Sequence, residues 1–433
     1  MSKLQEVLSQ FRQTVYQVFE ASRDAAFELI DAIASSPNAR SAVEVSDSPL
    51  MERNYASVYK GLERTKIDEG ALRTALVKQA DESGELMVAG YAIQALDHTP
   101  YPRKDAPTVS DRGYVHGADG NVIGHQYSLL GRVMHERGAW VGIEDCQRIP
   151  TESTPTQIGA AQIARLRQTS SLKHIITADC EYLTEPILDQ ANPRTELLIR
   201  LRSNRVFFLP PVEPRPGKRG PKGKHGRKFK LNDARTHGKP LAIYEVHTED
   251  GERIEITVFI NLHARSHPDL QGCIIRVRAY LADGTRKFVR PIWLYWTGPH
   301  DMDWSTFWKV YLKRFCIESV HQFSKNSLAW TAARLGYTER EERWTWLVML
   351  AYWQLLLAAP FANDSYRPWQ KPMPPDRLPT PARVQRDYWR IFLLIGTPAL
   401  SPKPRGISPG RPLGYRPPPR PHFKVIKKSK NKP

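Results

Sequence analysis

Three acidic residues stand where metal-assisted phosphoryl transfer would want them. Asp97 closes the apolar run Leu86–Leu96, and Asp179 closes the shorter run Leu172–Ala178. Carboxylates at neighbouring strand ends can come close together. A third from a crossing helix, Glu318, would complete a set of hard oxygen ligands suited to Mg²⁺ or Mn²⁺. Two such ions about 3.5–4 Å apart activate an attacking oxygen and stabilise a leaving one. Around Glu318 the chain reads Tyr311-x2-Arg314-x3-Glu318-x6-Lys325. At ~100° per residue, an unbroken helix would carry all four side chains within a stripe about 60° wide. That face would offer a carboxylate to a metal, and a phenol, a guanidinium and an ammonium to flanking phosphates.

Each residue also has a plainer reading. A lone aspartate at a strand end commonly caps a turn, and Asp105, Asp111 and Asp145 compete with Asp97 and Asp179. A glutamate four residues after an arginine is commonly a surface ion pair. His98, His125, His174 and His321 show no ligand spacing and read as structural or solvent-facing, although His321 lies one turn from Glu318. The order of the residues and the four-residue face together favour the chemical reading.

That face resembles the YREK signature of insertion-sequence transposases of the DDE class. Asp97-His-Thr-Pro-Tyr-Pro-Arg-Lys resembles the first-aspartate strand end of that family. Asp179-Cys-Glu-Tyr182 resembles the second, with an aromatic three residues later. The resemblance covers about 85–362 and implies an RNase H-like core with two metal ions per site. It implies hydrolysis of a phosphodiester, then attack of the freed 3′-hydroxyl on a second one. Asp97 and Asp179 would bridge the metals and Glu318 would complete their coordination. Tyr311, Arg314 and Lys325 would position phosphates, with Arg314 also orienting Glu318. The implied partners are the terminal inverted repeats of an element and a target DNA, held within a protein homodimer. A nuclease or resolvase on the same core, and a domesticated non-catalytic DNA-binding protein, are the rival readings.

The elements that must position these residues follow from local pattern. Residues 1–85 read as a helical domain, separate and possibly DNA-binding. Residues 86–209 alternate strands with helices and read as the first part of an α/β core, a mixed sheet flanked by helices. One helix is signalled by Thr154 as N-cap before Pro155. Residues 210–298 interrupt the core. There Pro214–Pro240 carries ten Lys/Arg against the single acidic Asp233 and reads as a mobile basic loop, with Lys218, Arg219, Lys222, Lys224, Arg227 and Lys228 facing DNA phosphates. Leu241–Trp296 then reads as β-hairpins turning at Asp250-Gly251 and Asp283-Gly284. Residues 299–365 return to helix, and 366–433 read as a Pro-rich basic tail that stays disordered until it meets nucleic acid.

Composition sets the frame. A formal charge of +18 on 433 residues points to a polyanionic partner, and a 41% hydrophobic share excludes wholesale disorder. Cys146, Cys180, Cys273 and Cys316 form no Cys-x-x-Cys pair, which argues against a zinc site and for free thiols in a reducing cytoplasm. The N-terminal residues read as an amphipathic helix rather than a signal peptide, so a bacterial-type cytoplasmic protein, nucleoid-associated when bound to DNA, is expected. Trp344–Ala362 is apolar enough to mimic a membrane span. Gln354, Pro360 and the charged run before it favour a core helix, hence no membrane partner.

Overall fold

The computed structural model describes residues 3–117, 120–212, 223–404, 406 and 409–427. The architecture is mixed α/β, a large mixed sheet flanked by helices, consistent with an RNase H-like DDE fold. The chain forms two compact units. One comprises Glu85–Asp97 and Gly159–Phe315; the other comprises Met1–Gly84, His98–Ile158 and Cys316–Pro433.

In the first unit, Tyr91–Leu96 and His174–Ala178 are buried on both faces, as parallel strands covered from two sides must be. They pair in parallel, and Lys173–Ala178 pairs in parallel with Thr195–Leu201 on its other side. Four antiparallel strands then continue outward: Ile292–Trp296, Gly272–Tyr280, Arg253–Leu262 and Ala242–His247. The β-rich segment expected to interrupt the core thus extends its sheet. Its turns are the expected ones, with Gly251 at φ 76° and Gly284 at φ 81°, conformations that glycine adopts without strain.

Several sequence expectations change here. Leu86–Leu96 is not one strand, because Met87–Val88 folds back on Tyr91–Ala92 through a tight turn at Ala89-Gly90. The second strand runs Tyr91–Pro102, so Asp97 lies inside it rather than at its end. Beyond the second parallel strand come a short helix, Glu185–Leu188, and the strands Thr195–Leu201 and Val206–Phe208.

The basic stretch is folded where it is described. Lys228–Lys230 pairs with Val206–Phe208, because Phe229 is buried against Phe259 and the stacked ring of His237. Lys224, Arg227 and Lys228 are exposed, while Lys218, Arg219 and Lys222 lie outside the described residues.

In the second unit, the expected separate N-terminal domain is not set apart. Helices Arg23–Ser35 and Tyr55–Arg64 pack with Thr338–Ala358, and Pro381–Ile395 joins them. Thr338–Phe361 is apolar and long enough to cross a membrane, yet its most apolar window is 89% buried inside the structure. Its polar Gln354 is satisfied there. It accepts from Arg12 and Tyr388 and donates to Asp31 at 3.1 Å, while Arg12 also bonds Asp31 at 2.9 Å. Three strands of this unit, Gly113–Gly117, Gly120–Val133 and Val141–Ile149, pair antiparallel in sequence, and the short strands Phe19–Ala21 and Lys66–Ile67 pair with each other.

The region expected to be a tail also contains structure. Beyond the Pro381–Ile395 helix, Phe423 donates to the Pro107 carbonyl at 2.8 Å and Ile426 to that of Arg112 at 2.7 Å. Ile426 thereby bridges Gly113 in parallel. All four cysteines are free thiols. Burial raises the Cys273 thiol to about 12, so it is an inert core residue.

Candidate active site

The site is built from the register of three parallel strands. Tyr91 pairs with Lys173 and so on through Ala95 with Thr177. The ladder ends there; extended by two residues, the same register would bring Asp97 level with Asp179, the residue that follows the second strand. On the other side Ala178 pairs with Ile199, so the next step sets Asp179 level with Arg200. Such an extension would put two carboxylates and a guanidinium in one row. Polar contacts pin the register. Thr177 Oγ1 donates to the Gln94 carbonyl at 2.7 Å, and the Gln94 amide meets His174 Nδ1 at 3.2 Å. His174 is structural, as its sequence context suggested.

The helix over Pro155–Thr169 backs this row. Thr154 caps its start as expected, and does so in a capping box, with Gln157 N–H donating to Thr154 Oγ1 at 3.2 Å and Thr154 N–H to the Gln157 side chain at 2.9 Å. At Gly159 the helix comes close to the strand ends. A Cβ there would lie 3.0 Å from Leu96, which precedes Asp97, and 3.2 Å from Tyr182, which follows Asp179.

Asp97 is held by Arg314, whose Nη1 lies 3.2 Å from Oδ2; the two side chains are 15% and 7% exposed. The Arg314 guanidinium also sits 4.9 Å from the Phe315 ring centroid. Asp179 serves partly as a turn residue, accepting the Glu181 N–H at 2.9 Å through Oδ1. Tyr311 is buried beside the same row. Burial raises its phenol above the ordinary value; Arg314 and Arg200 oppose that rise and Asp179 adds to it. Arg202 reaches the loop after Asp179, donating to Cys180 Sγ at 3.3 Å and lying 3.6 Å from Glu181. Neither Arg200 nor Arg202 was singled out from sequence. The available signal was their alternation in Arg200-Leu-Arg202, which puts both on one face of a strand.

The helix expected to carry Tyr311, Arg314, Glu318 and Lys325 on one face is not continuous. Tyr311 belongs to the short helix Lys309–Leu312, and Glu318 and Lys325 to Phe315–Ser327. Between them Lys313 N–H donates to Val310 and Arg314 N–H to Tyr311, bonds of three-residue span. Such a tightened turn superposes residues three apart, so Tyr311 and Arg314 share a direction while the unbroken-helix angle no longer applies.

In the other unit, Glu318 is exposed on the first turn of its helix. Lys325 Nζ donates to Thr99 Oγ1 at 2.5 Å and lies 6.0 Å from the Trp330 ring. His321, one turn on from Glu318, is buried. The competing aspartates have structural partners: Asp111 bonds Arg148 and Thr151, and Asp145 bonds Arg73 at 2.7 Å. Asp105 is an exposed turn residue.

Among the described residues, no three His, Cys, Asp or Glu side chains gather into a group that could hold a metal. Asp97 and Asp179 are nonetheless hard anionic oxygen donors, the chemistry that Mg²⁺ and Mn²⁺ take.

Residues 14–127 match the family described as DDE superfamily endonuclease. The match spans 114 of 433 residues, beginning in the first helix and including Asp97. It ends before Asp179 and before the Tyr311–Lys325 motif. It supports a DDE-type, transposase-like family, a transposase- or nuclease-type function, and a DNA substrate. Families of this type typically use divalent metals. Among curated proteins none matches the chain.

Proposed function

We propose that this chain is a cut-and-paste DNA transposase that cleaves DNA at the ends of its element and joins the freed 3′ ends to target DNA. The observation that supports the reading is the Arg314 ion pair with Asp97, on a strand that pairs in parallel with the one leading into Asp179. Asp97, Asp179 and Glu318 would hold two divalent ions, Mg²⁺ or Mn²⁺, which supply Lewis-acid stabilisation of the attacking and leaving oxygens. The protein's own groups do the rest. Arg314 keeps the Asp97 carboxylate oriented, and Arg200 places positive charge in the same row. Tyr311 walls the row with a buried ring, and Lys325 positions a flanking phosphate. The partners in this reading are terminal inverted repeats and target DNA, with the chain acting as a homodimer on DNA in the bacterial cytoplasm.

Incubation of the chain with Mg²⁺ and a duplex carrying the inverted repeats that flank its coding region tests this. Nicking at the repeat end followed by joining to a second duplex is expected. Nicking without joining would establish the nuclease or resolvase reading, and binding without nicking a domesticated DNA-binding protein.

A further inference from the structure

Far along the chain from Asp97, the loop after the long buried helix presents aromatic rings and cations together. Trp369 is 74% exposed and Tyr366 50%. The Arg367 guanidinium lies 5.4 Å from the Trp369 ring centroid, and that of Arg383 6.0 Å from the Tyr366 ring. The loop is braced from beneath. Arg386 donates to the Ser365 carbonyl at 2.7 Å and to the Gln370 side chain at 3.2 Å, and Arg383 donates to the Lys371 carbonyl at 2.7 Å. Gln370 Oε1 in turn accepts the Arg367 N–H at 3.0 Å, and Asp364 accepts the Met373 N–H at 2.7 Å.

Two features of this arrangement run against stability. Large rings are left in water on a fixed frame, where folding gains little from them. Like charges are also crowded, since Arg367 and Arg383 both act on Arg386 and, with its burial, hold that guanidinium below its ordinary value. Asp364 pairs with Arg383, but Arg367, Lys371 and Arg386 have no carboxylate in salt-bridge range among the described residues. A polyanion satisfies the cations, and the chain's charge of +18 draws one in. The rings select which kind. Bases inside a duplex are stacked on each other, whereas unpaired bases stack on an exposed indole or phenol whatever their sequence.

We propose that the loop carrying Tyr366, Arg367, Trp369 and Lys371 is a binding platform for single-stranded DNA. The bases stack on Trp369 and Tyr366, and Arg367, Lys371 and Arg386 contact the phosphates. The platform rests on the DNA-processing reading only for its purpose, as a holder for a strand separated near a cut end. Its binding stands independently.

The test is fluorescence anisotropy of the full chain with a labelled oligothymidylate and with a blunt duplex of equal length. Trp369→Ala is expected to weaken oligothymidylate binding about ten-fold, within the range that one stacked base contributes. Trp369→Phe should stay near wild type, and duplex affinity should change less than two-fold. Arg367→Glu should weaken oligothymidylate binding as well and make it less sensitive to salt. Unchanged oligothymidylate affinity in Trp369→Ala overturns the platform, as does equal loss in the Ala and Phe variants or equal loss for both DNAs. Mg²⁺-dependent nicking by the wild type is scored separately. Nicking without Trp369 dependence defeats the platform alone, and Trp369 dependence without nicking defeats the transposase reading alone.

Discussion

Two sets of carboxylates, one in each compact unit, show what separates a structural acid from one available for chemistry. Glu341 is fully buried. It accepts from Arg103 through Oε1, and its Oε2 lies 3.1 Å from His125 Nδ1. Asp31 is likewise buried, bonded to Arg12, Gln354 and Thr397. These groups have exchanged water for fixed, oppositely charged partners, which is what a buried charge requires. Asp97 and Asp179 are only half-buried; Asp97 meets Arg314, and Asp179 accepts from the Glu181 N–H. The depth of burial, rather than the presence of an ion pair, distinguishes the two sets.

The comparison breaks first on activity. Asp97→Asn, Asp179→Asn and Glu318→Gln each remove an anionic ligand without changing shape, so Mg²⁺-dependent nicking should fall by more than about 100-fold. Thermal unfolding should move little, because these side chains are not core. If any of the three nicks DNA at the wild-type rate, that residue leaves the proposed site.

Glu341→Ala should do the reverse. It strands Arg103 and His125 in the interior, and removing one partner of a buried pair costs about 3–5 kcal/mol. Chemical denaturation should show that loss, whereas Asp179→Asn should not. Equal destabilisation by both would erase the distinction between the two carboxylate sets.

A third carboxylate sharpens the same point through pH. Burial raises Glu28 from 4.5 to about 7 against the opposing pull of Arg53. A carboxyl group raised in the folded state contributes stability that is present below pH 4.5 and is lost as pH rises through about 7. Unfolding free energy should therefore drop by about 2 kcal/mol between pH 5 and 8.5 on account of this group. Glu28→Gln should flatten that part of the profile. An unchanged profile would mean that Arg53 compensates the burial fully.

Much of the local structure was legible in sequence, because it follows from short-range rules. Strand Lys173–Ala178 ends at Asp179 because its apolar run ends there. The Thr154–Gln157 box and the two Asp-Gly turns announce themselves through side chains that satisfy their own backbone. Longer-range facts were not legible. The polar His98-Thr99-Pro100 sequence hides that the strand continues past Asp97, where Thr99 is buried. Nothing local shows that Arg12 must reach Asp31 and Gln354, which ties the N-terminal helices into the unit built on the long apolar helix. The spacing of Tyr311, Arg314, Glu318 and Lys325 stands in the sequence, but the geometry inferred from it assumed an α-helix through Lys313, where the backbone tightens instead.

That tightened turn leads to the smallest expected effect and the sharpest test of the motif. Arg314 and Lys325 were expected to act together on one helix face, yet each makes its own contact. Arg314 meets Asp97 at 3.2 Å, and Lys325 bonds Thr99 at 2.5 Å. Arg314 contacts a proposed ligand directly, so its loss should disorient the carboxylate. Arg314→Ala should slow nicking about ten-fold, equivalent to roughly 1.4 kcal/mol, while DNA affinity stays within about two-fold because many other cations hold the backbone. Lys325 contacts a hydroxyl instead, so Lys325→Ala should cost about three-fold in nicking and show more in the joining step, where a second DNA must be positioned. The double variant decides whether the motif is one unit. Effects that multiply would mean two independent contacts, as the broken helix implies. A double variant no slower than Arg314→Ala alone would mean that both cations serve a single position, and the one-face geometry expected from the spacing would then hold in the DNA-bound protein.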